Sequence, residues 1–225
     1  GCFKNGQLMF LRKKDGLVND SVTAVFADQE GSLWVGTREG LSLLTDVKLP
    51  IFGVAEGLPE GLVHGVAAAK DGGLWAGTST GLSKLTRTGV TNYSSETGLG
   101  NIYLKRVFES RSGDVYVITG DKKIEILSEG RVVGRHANGN WPTAFTEDSQ
   151  GVIAAFGGEL FRINRDQMIP YRFKQDPPPP FYWIRDLCVT RKGDLLVASV
   201  NGVYRIKDGE VEQWVAGNGL SDSSA

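Results

Sequence analysis

Three observations predict an all-β fold for this 225-residue chain, a β-propeller of four-stranded antiparallel blades. The first is an internal repeat. Gly31-Ser32-Leu33-Trp34-Val35-Gly36-Thr37-Arg38-Glu39-Gly40-Leu41 returns 41 residues later as Gly72-Gly73-Leu74-Trp75-Ala76-Gly77-Thr78-Ser79-Thr80-Gly81-Leu82. The second is a ruler of turn glycines, Gly31, Gly72, Gly113, Gly151 and Gly193, spaced by 41, 41, 38 and 42 residues. The third is the short apolar run after each of them: Leu33-Trp34-Val35, Leu74-Trp75-Ala76, Val115-Tyr116-Val117, Ile153-Ala154-Ala155 and Leu195-Leu196-Val197. A continuous apolar run between turns is what a strand covered on both faces looks like. A period of about 40 residues with four such strands is the pattern of a propeller blade. Helical repeats would need longer stretches of helical periodicity than the Gly and Asn/Asp turns allow, and a two-sheet sandwich has no need of a fixed self-similarity.

The elements follow in order. Residues 1–15 hold Asn5-Gly6 between apolar runs, the strongest short hairpin signal. They read as the last two strands of a preceding blade. The first full blade, 16–56, opens at Gly16-Leu17. It has a strand Val22 to Ala27, the turn Asp28-Gln29-Glu30-Gly31, strands Leu33 to Thr37 and Leu41 to Thr45, and a fourth strand over about Lys48 to Val54. Blades at 57–97 and 98–137 open at Gly57-Leu58 and Gly98-Leu99. A blade at 138–179 opens at the worn Asn138-Gly139-Asn140, and one at 180–218 near Pro180-Phe181. Gly219-Leu220 starts another over 219–225. About five complete blades with partial blades at the ends make a single propeller domain, read as part of a longer one of six to eight blades.

Composition bounds the function. The chain is 40% hydrophobic with 25 basic and 26 acidic residues, and a net charge of −1 gives no electrostatic case for nucleic acid or an anionic membrane. No run of about 18 apolar residues exists to span a bilayer. The two cysteines, Cys2 and Cys188, do not define a redox compartment. Cys188 lies in an apolar stretch, where a free cysteine behaves as a small hydrophobe.

Trp34, Trp75 and Tyr116 read as packing elements between blades, because large rings with a polar handle bury much area. The Gly-Thr that follows them allows close backbone approach and offers a hydroxyl to an adjacent loop. The whole pattern is Gly-Leu, a short spacer, a strand, Asp-x-x-Gly, Leu-Trp-Val-Gly-Thr, a two-residue turn and Gly-Leu. It resembles the two-component regulator propeller repeat, strongly over residues 16–93, while residues 94–218 keep the period but lose parts of the signature. Later units lose the tryptophan to Tyr116, Ala154 and Leu196, and Ala69 replaces the first-turn Asp in the second. The resemblance implies an extracytoplasmic (periplasmic) sensor propeller of a hybrid two-component or sensor histidine kinase protein. It also implies further blades and a transmembrane signalling module outside this segment, so any membrane attachment lies there.

Candidate binding residues come from the loops. In a propeller, the loop entering the innermost strand and the turn between the second and third strands share one face, the usual binding surface. Alignment on the turn glycine places Thr23, His64, Lys105, Thr143 and Arg185 at one equivalent position. With Arg38, Lys122 and Asn201 from the second turn they make a mouth suited to an anion. Solvated strand-edge positions with no shared task are the plainer reading. Trp141, Phe181, Tyr182 and Trp183 lie in entry loops where the repeat usually has Gly-Leu, and a sugar would want such platforms. The ligand-binding candidates are therefore His64, Lys105, Arg185, Trp141, Tyr182 and Trp183. Pro177 to Pro180 read as a stiff spacer.

No catalytic or metal-binding motif stands out, and no cofactor is expected. His64 and His136 have no ligand partners at metal spacing, and there is no nucleophile elbow or phosphate loop. Asp15 and Asp20 read as local capping groups. Three functions remain. One is a non-catalytic sensor binding a small molecule or oligosaccharide, with homodimers through propeller faces or open blade edges. Another is an enzyme like the propeller lyases that act on streptogramins, with His64 as base. The last is a protein-docking scaffold.

Overall fold

The computed structural model describes residues 2–4, 7–28, 32–44, 51–59, 61–86, 88–177 and 179–214. A hairpin, β1 (Cys2–Lys4) and β2 (Gln7–Met9), precedes five antiparallel four-stranded blades. The first blade is β3 (Val22–Ala27), β4 (Leu33–Thr37), β5 (Gly40–Leu44) and β6 (Ile51–Phe52). The second is β7 (Val63–Ala68), β8 (Leu74–Thr78), β9 (Leu82–Thr86) and β10 (Gly89–Tyr93). The third is β11 (Leu104–Glu109), β12 (Val115–Thr119), β13 (Ile124–Ser128) and β14 (Arg131–His136). The fourth is β15 (Pro142–Asp148), β16 (Gly151–Phe156), β17 (Glu159–Ile163) and β18 (Met168–Pro170). The fifth is β19 (Ile184–Val189), β20 (Leu195–Ser199), β21 (Gly202–Lys207) and β22 (Glu210–Trp214). Strands run in sequence order across every blade, as a meander requires. The fold is thus the all-β propeller that the repeat predicts. The chain divides into two compact units, residues 1–109 and 110–225.

In the first unit, β3, β7 and β11 pack against one another, and the second strands β4 and β8 face β7 and β11. The glycines of the repeat make this possible. A Cβ at Gly36 would lie 3.2 Å from Val63 Cγ1, and one at Gly65 would lie 3.2 Å from the Lys105 carbonyl and 3.3 Å from Arg106 Cα. Val63 and Leu104 are buried as a result. The core joins Leu41, Leu58, Val63, Leu74, Ala76 and Leu85, with Trp34 and Phe52 packed against it.

The Gly-Leu signature has a local cause. Short 3-10 turns, Lys13–Asp15, Val54–Glu56 and Ser95–Thr97, each end at a left-handed glycine, Gly16, Gly57 or Gly98, with φ of 108°, 99° and 96°. The next residue, Leu17, Leu58 or Leu99, then plugs the core. The last side chain of each turn reaches back to the backbone N–H that opens it. Arg12 N donates to Asp15 Oδ2 at 3.0 Å, Gly53 N to Glu56 Oε2 at 2.7 Å and Ser94 N to Thr97 Oγ1 at 3.0 Å. Asp15 thus caps as expected, and Asp20 accepts from Lys13 N at 2.6 Å.

The tryptophans keep a partner for their buried N–H, as a desolvated donor must. Trp34 Nε1 donates to the first-turn Asp28 at 3.0 Å. In the second blade Ala69 has replaced that aspartate, and Trp75 Nε1 turns to Glu109 Oε2 on β11 at 2.6 Å. The threonines serve the turn of their own blade rather than a neighbouring loop. Thr37 Oγ1 donates to the Gly40 carbonyl at 2.8 Å and Thr78 Oγ1 to that of Gly81 at 2.9 Å.

In the second unit, β12 and most of β16 are buried on both faces. The core there includes Ile153, Ala155, Leu160, Ile184, Val197 and Ile206. Phe181 also belongs to it. Although it lies in an entry loop, it takes the place of the missing leucine and meets Tyr204 edge-on at 4.8 Å. Three aspartates in or beside the first turns hold arginines: Asp114 with Arg165, Asp148 with Arg162 and Asp194 with Arg205, at 2.6–2.7 Å.

Two sequence expectations need adjusting, and others lie outside the described residues. The fourth strand of the first blade is only Ile51–Phe52, because Val54–Glu56 is a 3-10 turn. Cys188 is exposed, since Leu187 beside it takes the core-facing direction on β19. His136 is half-buried at the end of β14, with Nε2 2.6 Å from the Asn164 carbonyl. The expected turn residues Asn5, Gly6, Gln29, Glu30 and Gly31, strand residues 45 and 48–50, and segment 219–225 lie outside the described residues.

Leu104→Ala should lower stability in chemical denaturation by about 2–5 kcal/mol, because it empties a fully buried site between blades. Val133→Ala, at an exposed site, should change it by less than about 0.5 kcal/mol.

Candidate functional site

The position that the sequence alignment singles out is a β-bulge. Near the start of four first strands the pairing slips by one residue. Val22 pairs Thr37 but Ala24 pairs Gly36, and Val63 pairs Thr78 but Gly65 pairs Gly77. Pro142 pairs Phe156 but Ala144 pairs Ala155, and Ile184 pairs Ser199 but Asp186 pairs Ala198. The extra residues are Thr23, His64, Thr143 and Arg185. Lys105 holds the aligned place on β11. A bulge leaves its residue outside the ladder and redirects its side chain.

Entry loops and second turns meet at this edge. Arg38 N donates to the Ser21 carbonyl at 3.2 Å, Ser79 N to that of Leu62 at 2.9 Å and Val200 N to that of Trp183 at 3.0 Å. Asn201 Nδ2 adds a bond to the Pro180 carbonyl at 3.2 Å.

In the first unit the structure brings together two predicted residues and one that was missed. The Thr23 hydroxyl donates to the Val63 carbonyl of the next blade. The His64 ring lies 4.7 Å from that of Tyr103, inclined at 49°. Its Nε2 is buried and has no hydrogen-bond partner among the described residues. Burial, with the nearby Lys105 charge adding to it, holds the imidazole below its ordinary 6.5, so it is neutral at neutral pH. A cleft of about 420 Å³ opens at the same edge, lined by Arg38, Gly53, Leu58, Leu62 and Ser79 among others.

In the second unit Tyr182 and Trp183 are exposed, at 73% and 43%, two residues or fewer before the start of the Arg185 bulge. Among the described residues, Thr143 Oγ1 is the other buried side-chain atom without a partner. Trp141 differs from the other loop aromatics. It is half-buried, and Lys122 Nζ lies 5.3 Å from its ring centre. A second cleft, of about 530 Å³, opens at the opposite strand ends. Asp114, Glu147, Arg162, Arg165 and Tyr116 are among its lining residues. There Arg165 holds the Asp114 carboxyl below the usual carboxylate range, and burial pushes the Tyr116 hydroxyl up to about 12. These groups are tied to one another, which makes that cleft a structural seam.

Tyr103 does not stand out in the sequence, because its entry loop keeps the standard Gly-Leu of the repeat. The signal is present nonetheless, since Tyr103-Leu104-Lys105 parallels Trp183-Ile184-Arg185.

Comparison with known proteins agrees with this architecture. Residues 16–39 match the two component regulator propeller family. No curated protein sequence matches the chain. Among solved structures, the extracellular domain of a hybrid two component system from B. thetaiotaomicron is 19% identical. Its TM-score is 0.79, and the match covers 99% of this chain and 32% of that one. Virginiamycin B lyase from Staphylococcus aureus is 17% identical, with a TM-score of 0.69 over 86% of this chain and 69% of the lyase. PorZ, a surface component of the type-IX secretion system of Porphyromonas gingivalis, is 17% identical, with a TM-score of 0.67 over 91% of this chain and 35% of that one. At these identities the likeness establishes the fold. This chain spans about a third of the two-component and secretion-system relatives.

His64 should make the protein sensitive to acid. Its imidazole binds a proton less readily folded than unfolded, so the unfolded state takes up more protons as pH falls below 6.5. Stability should therefore drop from about pH 7 to pH 5, and His64→Gln should flatten that part of the profile. Denaturant midpoints measured across this range check it, and parallel profiles for the two proteins would contradict the assignment.

Proposed function

We propose that this chain is the recognition segment of an extracytoplasmic sensor in a two-component-type signalling protein. In this reading it is non-catalytic and binds a carbohydrate or an anionic small molecule at the edge where the first strands begin. The observation that carries the proposal is the coincidence of the regulator-propeller match at residues 16–39 with a structural likeness over 99% of the chain to a two-component extracellular domain. The chemistry of the edge supports it. Rigid sheets hold bulged side chains and exposed aromatics on loops, which is how scaffolds present binding groups. The output module, and whatever anchors it to a membrane, belongs to other parts of the protein in this reading.

The likeness to virginiamycin B lyase favours a second reading, an enzyme using His64 as base. The neutral imidazole has the protonation state for that role. No three His, Cys, Asp or Glu side chains converge on it, or anywhere else among the described residues, to hold a metal.

Thermal melting against neutral sugars, acidic sugars and inorganic anions tests the sensor reading. At least one class should raise the melting temperature with a saturating concentration dependence. Quinupristin incubated with the protein should remain intact by mass spectrometry. Silence across all solutes would remove the ligand-binding sensor, and conversion of quinupristin would install the enzyme in its place.

A further inference from the structure

Two entry loops in different units carry one pattern: an exposed aromatic, a buried aliphatic and a cation. Tyr103 and Trp183 are 39% and 43% exposed, while Leu104 and Ile184 are fully buried. Lys105 and Arg185 follow, Arg185 at the bulge itself and Lys105 at the aligned position. The buried aliphatic anchors each loop, with the flanking ring exposed, Arg185 exposed and Lys105 half-buried.

The bulged residue on the preceding blade completes the pattern. β7 packs against β11 and β15 against β19. The bulges of β7 and β15 hold His64 and Thr143, whose Nε2 and Oγ1 are the buried side-chain atoms lacking a partner among the described residues. The first blade is an internal contrast. Its bulged Thr23 is followed on the next blade by Leu62-Val63-His64, which has an aliphatic Leu62 in the place of the exposed ring and a neutral imidazole in the place of the cation. There the threonine hydroxyl is satisfied within the protein by the Val63 carbonyl. The unpartnered atoms therefore occur where the next blade supplies a ring and a positive charge. A buried polar atom left open beside such groups is a place kept for a ligand or a bound water.

We propose that each unit carries a ledge for a ring compound bearing a carboxylate. The ring lies against Tyr103 or Trp183, the carboxylate pairs with Lys105 or Arg185, and the buried His64 Nε2 or Thr143 Oγ1 joins through a bound water. Aromatic faces take the flat apolar side of a ring, and a cation beside them selects for negative charge. Tyr182, more exposed still, extends the platform in the second unit. The inference rests on the reading of this edge as the binding surface, and it narrows the ligand to ring-shaped carboxylates, whether sugar acids or aromatic acids.

The test is titration of the protein with sodium glucuronate and sodium benzoate, with glucose and sodium sulfate as controls. The readouts are tryptophan fluorescence and NMR signals of His64, Tyr103 and Trp183. At least one carboxylate should bind saturably and shift these signals, at least tenfold more tightly than glucose or sulfate. Lys105→Gln should abolish the shifts at Tyr103 and Arg185→Gln those at Trp183, each leaving the other ledge intact. The double variant should lose at least tenfold in affinity. Tyr103→Leu, at an exposed position, gives a second variant should Lys105→Gln fold poorly. Glucuronate alone, benzoate alone or both binding at the ledges all support the proposal and identify the ring. Carboxylate binding unchanged in the double variant overturns it, as does absence of carboxylate binding up to about 10 mM. If glucose binds while both carboxylates fail, the ledge falls and the sensor reading stands; if none of the solutes binds, both fall.

Discussion

Gly65 lets the backbone of β7 lie against that of β11, so closely that a Cβ would meet the Lys105 carbonyl at 3.2 Å. Gly36 does the same between β4 and Val63, and Gly77 places β8 against Leu104. The other features of the first unit depend on this approach. It buries Val63 and Leu104, brings Trp75 within reach of Glu109, and sets the His64 ring against Tyr103. Apolar burial supplies the drive, but missing side chains supply the room, and a blade interface this close has no tolerance for added volume.

The two ends of the strands do different work. At the end carrying the first turns, Asp114, Asp148 and Asp194 lock arginines, and the indole N–H groups of Trp34 and Trp75 find partners in the same blade or the next. Polar groups there are paired with one another. At the entry end the ladder slips, and the side chains that the bulges redirect include two with unpaired buried atoms. Structural seams satisfy their own polar groups, whereas a surface meant to receive something retains open ones. That asymmetry supports the proposal that recognition lies at the entry end.

Much of this was legible in the sequence because repetition does the aligning. The glycine ruler alone put Thr23, His64, Thr143 and Arg185 in register, and the structure shows what they share, a bulge that no periodicity reveals. Trp34 and Trp75 read correctly as packing residues, but the switch of the indole partner from Asp28 to Glu109 could not be read, since it follows from a contact between blades. Phe181 looked like a loop aromatic yet fills the leucine socket, while Tyr103 sat behind an intact Gly-Leu and was passed over. Both errors have one source. An entry loop has a plug position and an exposed position, and composition does not distinguish them without the register of the following strand.

Close strand approach is what positions the entry-end side chains of the first unit. Gly65→Val tests it most directly, followed by denaturant unfolding and by the His64 ring signals in NMR. The backbone at Gly65 needs no positive φ, so any effect comes from the added volume against β11. The expected result is a loss of about 1–3 kcal/mol together with a displaced His64 signal, as β11 and Tyr103 are pushed outward. Unchanged stability with His64 signals at their original positions would contradict it.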